Sequence, residues 1–335
     1  MTPGLLELLC DPVDRQPLRL DNASYDARGH IVSAELVSST GQRYPVIDGV
    51  PRFHRQPEMT SSVESFGDEW NHFDFIAFRD NWLQHTVRNT FGSLEAFRGK
   101  VVVDAGAGSG SQSRWIHEAG AAHVIALELS HSVDGVMRRN LDGLEGVDIV
   151  QCSIDAPPLR DACIPGIVIC HNVIQHTRSV EDTARSLWRL VGPGGEFVFN
   201  CYPKNDLGWL RRMRLRLYEG LRAFLSRRSF GFRLAYARTM SVLRFVPLLG
   251  LVLEKSMLMV RGDVVPGPNW IRRAYRAGAL NTFDCYGSHA WQHLKSDDEI
   301  RALVAELQPD PSRIGNLDRY FLRPQPIGIA LRLSR

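Results

Sequence analysis

The stretch VVVDAGAGSG (101–110) constrains what this chain can fold into more than any other. Three consecutive β-branched residues suit a strand buried on both faces of a parallel sheet. The strand delivers Asp104 to its carboxyl end. Gly106, Gly108 and Gly110 then allow a tight turn directly into the helical pattern SQSRWIHEAG. Open α/β folds bring their backbone close to a ligand at such a junction. The next strand pattern, HVIALE, ends on Glu128, 22 residues past Gly106, where a carboxylate can accept hydrogen bonds from ribose hydroxyls.

From Lys100 onward strand and helix patterns alternate. HSVDGVMRRNLDGL predicts a helix, VDIVQC, GIVICH and EFVFNC predict strands, and SVEDTARSLWRLV (179–191) predicts a helix stopped by GPGG. The alternation implies an α/β, doubly wound Rossmann-like sheet. The expected organisation is a small N-terminal domain over 1–55, linker and N-terminal helices over 56–99, the core over 100–201, a helical lid insertion over 202–290, and a closing helix and strands over 291–335. Within the last segment, Ser296 and Glu299 predict a capping box, and IGIALRLSR predicts a closing strand. The aromatics of SFGDEWNHFDF (65–75) and WLQHTVRNTF either cover the ligand pocket or pack helices on the sheet.

Glycines alone do not choose the ligand. The dinucleotide fingerprint GxGxxG needs glycine at 111, where Ser111 stands. Asp104, directly before the turn, would oppose a pyrophosphate but suits a cationic sulfonium and amino-acid group. Over roughly 100–201 the chain resembles the class I S-adenosylmethionine methyltransferases, with DAGAGSG, Glu128, CSIDAPPLRDACIPGIVICHNVIQHT (152–177) and LVGPGGEFVF (190–199) in that family's order. The resemblance implies S-adenosyl-L-methionine as cofactor. It implies Asp104, Gly106, Gly108 and Gly110 against the methionine part, Glu128 on the ribose, and Ser153, Ile154 or Asp155 beside the adenine. Ser153 departs from the aspartate common in the family.

His171 and Asn172 directly follow the fourth strand of the core pattern, at the carboxyl edge where ligands bind, and are further cofactor-binding candidates near the transferred methyl group. His176, in IQHT, is either an acceptor-positioning group or a capping histidine. His289, with His293 and Asp284 in FDCYGSHAWQH, is either a general base carried by the lid or a surface group. His171, His176 and His289 are the catalytic candidates. Proximity to an electrophilic methyl group can carry most of the rate of methyl transfer.

The N-terminal order LLELLCDPVDRQPL … GQRYPVIDGVPRF resembles a small zinc-ribbon-like domain that accompanies or activates some methyltransferases. Asp11 and Asp14 stand where that family carries its first cysteines, and Val37 and Thr40 precede Gly41 where the second pair would lie. A carboxylate pair alone is a poor zinc site, so no metal is expected. Six cysteines, none spaced as CxxC, fit a reducing compartment. The N-terminus carries no export pattern, and the apolar run 245–260 is broken by Pro247, Glu254 and Lys255. Cytoplasmic residence is expected, at most peripheral to a membrane.

Net charge is +3, yet 204–244 holds eleven basic residues against Asp206 and Glu219. Within it, 207–225 places Leu210, Met213, Leu217, Leu221 and Phe224 at helical spacing among arginines. Three readings stay open for 207–244: contact with an anionic membrane or lipid-linked acceptor, contact with a phosphate backbone, or a lid helix with a solvated charged face. Nucleic acid is the least supported, because the whole chain is nearly neutral and carries no RNA-binding module. The expected function is S-adenosylmethionine-dependent methyl transfer to a small-molecule, glycan or lipid-linked acceptor. The alternatives are an RNA methyltransferase and, from another class, a cofactor-binding scaffold without catalysis.

Overall fold

A computed structural model describes the chain except residues 54–60, 74, 205–208, 263 and 288–290 and the side chains of 61, 62, 209–212 and 215. Contacts divide it into two compact units. One comprises Met1–Thr60, Asp74–Lys204 and Trp291–Arg335, and the other Ser61–Phe73 and Asn205–Ala290.

The first unit begins with helix α1 (Pro3–Leu8) and the antiparallel meander β1 (Arg19–Tyr25), β2 (Ile31–Val37), β3 (Arg43–Ile47) and β4 (Val50–Pro51). After α2 (Ser61–His72), which belongs to the other unit, come α3 (Arg79–Asn81) and a π-wound segment, Trp82–Phe91. The core then runs β5 (Val101–Ala105), α4 (Ser111–Glu118), β6 (His123–Glu128), α5 (Val136–Leu141), β7 (Val147–Gln151), β8 (Ile167–Cys170), α6 (Val180–Trp188) and β9 (Glu196–Phe199). Strands β5, β6, β7, β8 and β9 are parallel, and β5 lies between β6 and β8, so the topological switch point falls between β5 and β8.

The chain returns to this sheet at its C-terminal end. β10 (Tyr202–Pro203) pairs with β11 (Leu294–Lys295), which leads into α11 (Asp297–Leu307), started by the Ser296–Glu299 capping box. β12 (Ile314–Gly315), α12 (Leu317–Tyr320) and β13 (Leu331–Ser334) follow. β13 inserts antiparallel between β9 and β12, giving the order β12-β13-β9-β8-β5-β6-β7. The sheet is thus the mostly parallel, doubly wound kind expected from sequence, with β13 the reversed strand.

Two features depart from the sequence-based division. Residues 1–55 share one core with the large sheet: Leu5, Leu9, Ile31, Leu36 and Tyr44 pack in one cluster with Val103, Ile125, Leu127 and Phe197. Residues 1–55 hold too few apolar side chains to close a core of their own, and the strands of the large sheet supply the rest. Residues 61–73 are not a lead-in to the core, because they pack with 205–290.

That second unit is helical: α2, α7 (Trp209–Leu225), α8 (Phe230–Leu243), α9 (Leu249–Lys255) and α10 (Trp270–Cys285). Phe73, Phe230, Leu234, Ala237 and Phe283 form one of its clusters, and Tyr218, Leu225 and Tyr286 another. The apolar stripe read on α7 divides: Leu221 packs with Tyr218 and Leu225, whereas Met213, Leu217 and Phe224 are exposed. Leu210 lies among the side chains not described.

Candidate functional site

The turn after β5 is held from several directions. Gly106 and Ala107 both donate their N–H groups to Leu127 O at 2.9 Å, and Gly110 N–H donates to Ala107 O at 2.8 Å. Ser132 Oγ donates to Gly108 O, and Asn140 Nδ2 to Ser109 O. Gly106, Gly108 and Gly110 all have positive φ, where a side chain is strained. A Cβ on Gly106 would also lie 2.4 Å from Val173 Cγ1, so the turn and the segment after β8 touch at the switch point.

Two carboxylates frame the turn from adjacent strand tips. Asp104 is 1% exposed and accepts from Ser113 Oγ at 2.6 Å and Gln112 Nε2 at 2.8 Å, bracing the start of α4. Burial pushes its carboxyl up to about 6, against the lowering donors Ser113 and Gln112, and the nearby Glu128 charge adds to the rise. Gln112 in turn accepts from Trp82 Nε1, and the Trp82 ring packs on Phe97 and Trp115. The aromatic segment 82–91 thus serves packing and steadies the Asp104 network. Glu128, on β6, accepts from Gly108 N–H and Ser130 N–H, both at 2.8 Å. A pyrophosphate on this turn would find the Gly108 donor engaged and two buried carboxylates facing it. A sulfonium nucleoside with a free ammonium group meets charge of the right sign.

The main chain around Glu128 is braced by a residue that no motif or spacing singles out. Arg52, 6% exposed, donates to Gln151 Oε1 at 2.7 Å and to Asp134 Oδ1 at 2.5 Å. Gln151 Nε2 then donates to Leu129 O and Ser130 O, the main chain that carries the Glu128 contact. The end of α1 and the turn before β1 also reach the loop after β7: Arg15 Nη1 donates to Pro157 O, Cys10 N–H to Pro158 O, and Arg160 N–H to Leu8 O. In that loop Ile154 is buried, Ser153 is half-buried, and Asp155 accepts from Thr183 Oγ1 at 2.5 Å, which ties it to α6.

At the tip of β8, His171 Nε2 meets Gly328 O at 3.1 Å. A carbonyl only accepts, so Nε2 carries the proton and Nδ1 is left as an acceptor. Burial pushes this imidazole down to about 4, keeping it neutral near pH 7. Asn172, at φ 59°, exchanges two hydrogen bonds with Asn200 at the end of β9: its N–H donates to Asn200 Oδ1, and Asn200 Nδ2 donates to Asn172 Oδ1, each at 2.7 Å. Asn200 is a site residue that sequence spacing missed, although its place directly after EFVF marks a strand tip.

The remaining histidines separate. His176 Nδ1 donates to Trp291 O, and its ring meets the Tyr202 ring edge-on. His293 is held on the main chain of 175–177, its N–H to Gln175 O and its Nε2 to Thr177 O. Asp284 lies on α10 in the helical unit, beside the buried Glu69, and His289 falls outside the described residues.

Residues 103–199 match the family model described as a methyltransferase domain. Over these residues the chain is similar to methyltransferase domains, and its mostly parallel α/β sheet is the fold of that class. Among curated proteins, the chain is similar to a ubiquinone biosynthesis O-methyltransferase of Erwinia tasmaniensis, 29% identical over 133 residues that cover 39% of this chain and 51% of that protein. It is also similar to a malonyl-[acyl-carrier protein] O-methyltransferase of Enterobacter lignolyticus, 32% identical over 148 residues that cover 43% and 57%. The chain spans about half the length of these relatives. A solved S-adenosylmethionine dependent methyltransferase from Mesorhizobium loti is 25% identical, covering 32% of this chain and 52% of that one at a TM-score of 0.28.

Proposed function

We propose that the chain transfers the methyl group of S-adenosylmethionine to a small organic acceptor, free or linked to a lipid or glycan. The observation that carries this reading is the positive-φ turn 106–110, framed by Asp104 and Glu128 on adjacent parallel strand tips beside the switch point. The cofactor, when bound, supplies an electrophilic methyl carbon on a cationic sulfur. Glu128 would hold the ribose, the Asp104 charge would favour the sulfonium and ammonium groups, and Ser153, Ile154 and Asp155 would flank the adenine. His171 Nδ1, neutral and uncharged near pH 7, would accept a hydrogen bond from the acceptor and orient it; His176 would position it. Both relatives named above are O-methyltransferases, which supports oxygen as the accepting atom. Residues 1–55 would act as a metal-free relative of methyltransferase activator domains, with Leu8, Cys10 and Arg15 steadying the loop after β7.

Incubation with a labelled methyl donor and fractionated cell extract tests the reading. Label is expected in an organic-soluble or small-molecule fraction, and Glu128→Ala is expected to abolish it. Label in RNA alone, or calorimetric binding of NADH in preference to S-adenosylmethionine, would reverse the assignment.

A further inference from the structure

The helical unit ends in a bare apolar tip. Helices α8 and α10 are joined where Ser241 Oγ donates to Tyr275 O and Arg244 Nη1 to Ala274 O, so the end of α8 and the start of α10 lie together. Between them the chain runs through 245–252, a sequence, FVPLLGLV, with no charged residue. Leu248 at the apex is 80% exposed, Val252 58% and Ile271 65%, and Val246, Leu251 and Trp270 are exposed beside them. Phe245 and Trp270 meet edge to face, 6.3 Å apart, and a groove of about 750 Å³ opens there, lined by Val242, Phe245, Trp270, Ile271, Arg272 and Tyr275. So many large apolar side chains gathered on one end of a unit mark a contact surface rather than scattered exposure.

Charge identifies the occupant. Across 242–276 stand Arg244, Lys255, Arg261, Arg272, Arg273 and Arg276 against Glu254 and Asp263. Lys255, Arg261, Arg272 and Arg276 are exposed, and Glu254 pairs with Arg261. An uncharged apex, a tryptophan at its shoulder and a cationic collar match, layer by layer, the acyl boundary, interface and anionic headgroups of a bilayer. Among the described residues no helix is long and apolar enough to cross one. We infer that the 245–252 apex, with Trp270 and Ile271, inserts into the interface of an anionic membrane, with Arg272 and its neighbours on the headgroups. The surface shares only Val242 and Arg244 with the 207–244 segment, for which membrane contact is one of three open readings, and it leaves out the cationic helix α7. The inference stands independently of the methyl-transfer reading.

Flotation of the full chain with vesicles of phosphatidylcholine, with and without phosphatidylglycerol, tests it at low and high salt. Binding is expected to the anionic vesicles and to weaken with salt. Leu248→Asp combined with Ile271→Asp is expected to lower partitioning at least about tenfold while leaving the melting temperature unchanged, since both side chains are exposed. Arg272→Glu is expected to remove part of the salt-sensitive component. Equal binding to neutral and anionic vesicles, or full binding by the double variant, overturns the inference. So does concentration-dependent self-association that the double variant abolishes, because a second copy then covers the tip. Calorimetry of the same variants with S-adenosylmethionine keeps the two readings apart: retained cofactor binding with lost flotation supports the tip, whatever the acceptor.

Discussion

Replacing Gly106 with alanine sets a methyl group 2.4 Å from Val173 Cγ1, 2.7 Å from Cγ2 and 3.0 Å from Cβ, on a backbone at φ +81°. Turning the valine about χ1 moves its two methyls but not its Cβ, so rotation alone does not relieve the clash. The left-handed backbone costs a non-glycine residue roughly 1–2 kcal/mol, and forcing extra volume into a packed site costs roughly 1–3 kcal/mol. Together they remove about 2–5 kcal/mol from a domain whose whole stability is of order 5–15 kcal/mol. For a unit of this size that is a fall of roughly 5–15 °C in melting temperature. The assay is thermal unfolding of four proteins: parent, Gly106→Ala, Val173→Ala and the double variant. Val173→Ala removes the two closest contacts and keeps only the Cβ at 3.0 Å, so in its background Gly106→Ala should cost less, close to the backbone part of about 1–2 kcal/mol. The cycle thereby separates steric from conformational cost. Strict additivity of the two substitutions would refute the close approach of Val173 to the turn, and a Gly106→Ala protein as stable as the parent would refute the strain argument altogether.

Asp104, pushed up to about 6, carries its full charge only above that pH, so S-adenosylmethionine affinity should rise as pH climbs through about 6 and lose that inflection in Asp104→Asn, read by calorimetry across pH. The stability effect has the opposite sense: a carboxyl raised above its unfolded value of about 3.9 favours folding below that pH and loses the contribution as pH rises through about 6, so the Asp104→Asn melting temperature should gain on the parent's as pH rises. Arg52→Met should raise KM for S-adenosylmethionine about tenfold with kcat within about twofold, because it loosens the Gln151–Ser130 main chain behind Glu128 and touches no reacting atom. Arg52→Lys should recover part of the loss, and an equal fall in kcat would count against a positioning role. Asp11, 2% exposed, accepts from Val13 N–H, Asp14 N–H and Tyr44 Oη, so Asp11→Ala should lower stability by about 2–4 kcal/mol in denaturant unfolding, whereas chelator should leave the parent's transition where it is.

What the sequence determined by itself was local. The run VVVDA, the glycines after it and the carboxylate closing HVIALE define two strand tips and a turn from contiguous residues, and the Ser296–Glu299 capping box needs only a three-residue spacing. Those features follow from periodicity and short-range hydrogen bonds, which neighbouring residues settle among themselves. Only the tertiary structure decided that β13 enters the sheet reversed beside β9, that the first fifty residues share the core of the large sheet rather than closing their own, and that α7 packs through Tyr218 and Leu225 while Met213 and Leu217 are exposed. Arg52 finding Gln151, and Asn172 finding Asn200, join positions 99 and 28 residues apart. No local pattern specifies such partners, because each pairing is chosen by what the rest of the packed chain leaves buried and unsatisfied. An amphipathic helix with apolar residues on two flanks has the same periodicity whichever flank it buries, and its neighbours make the choice.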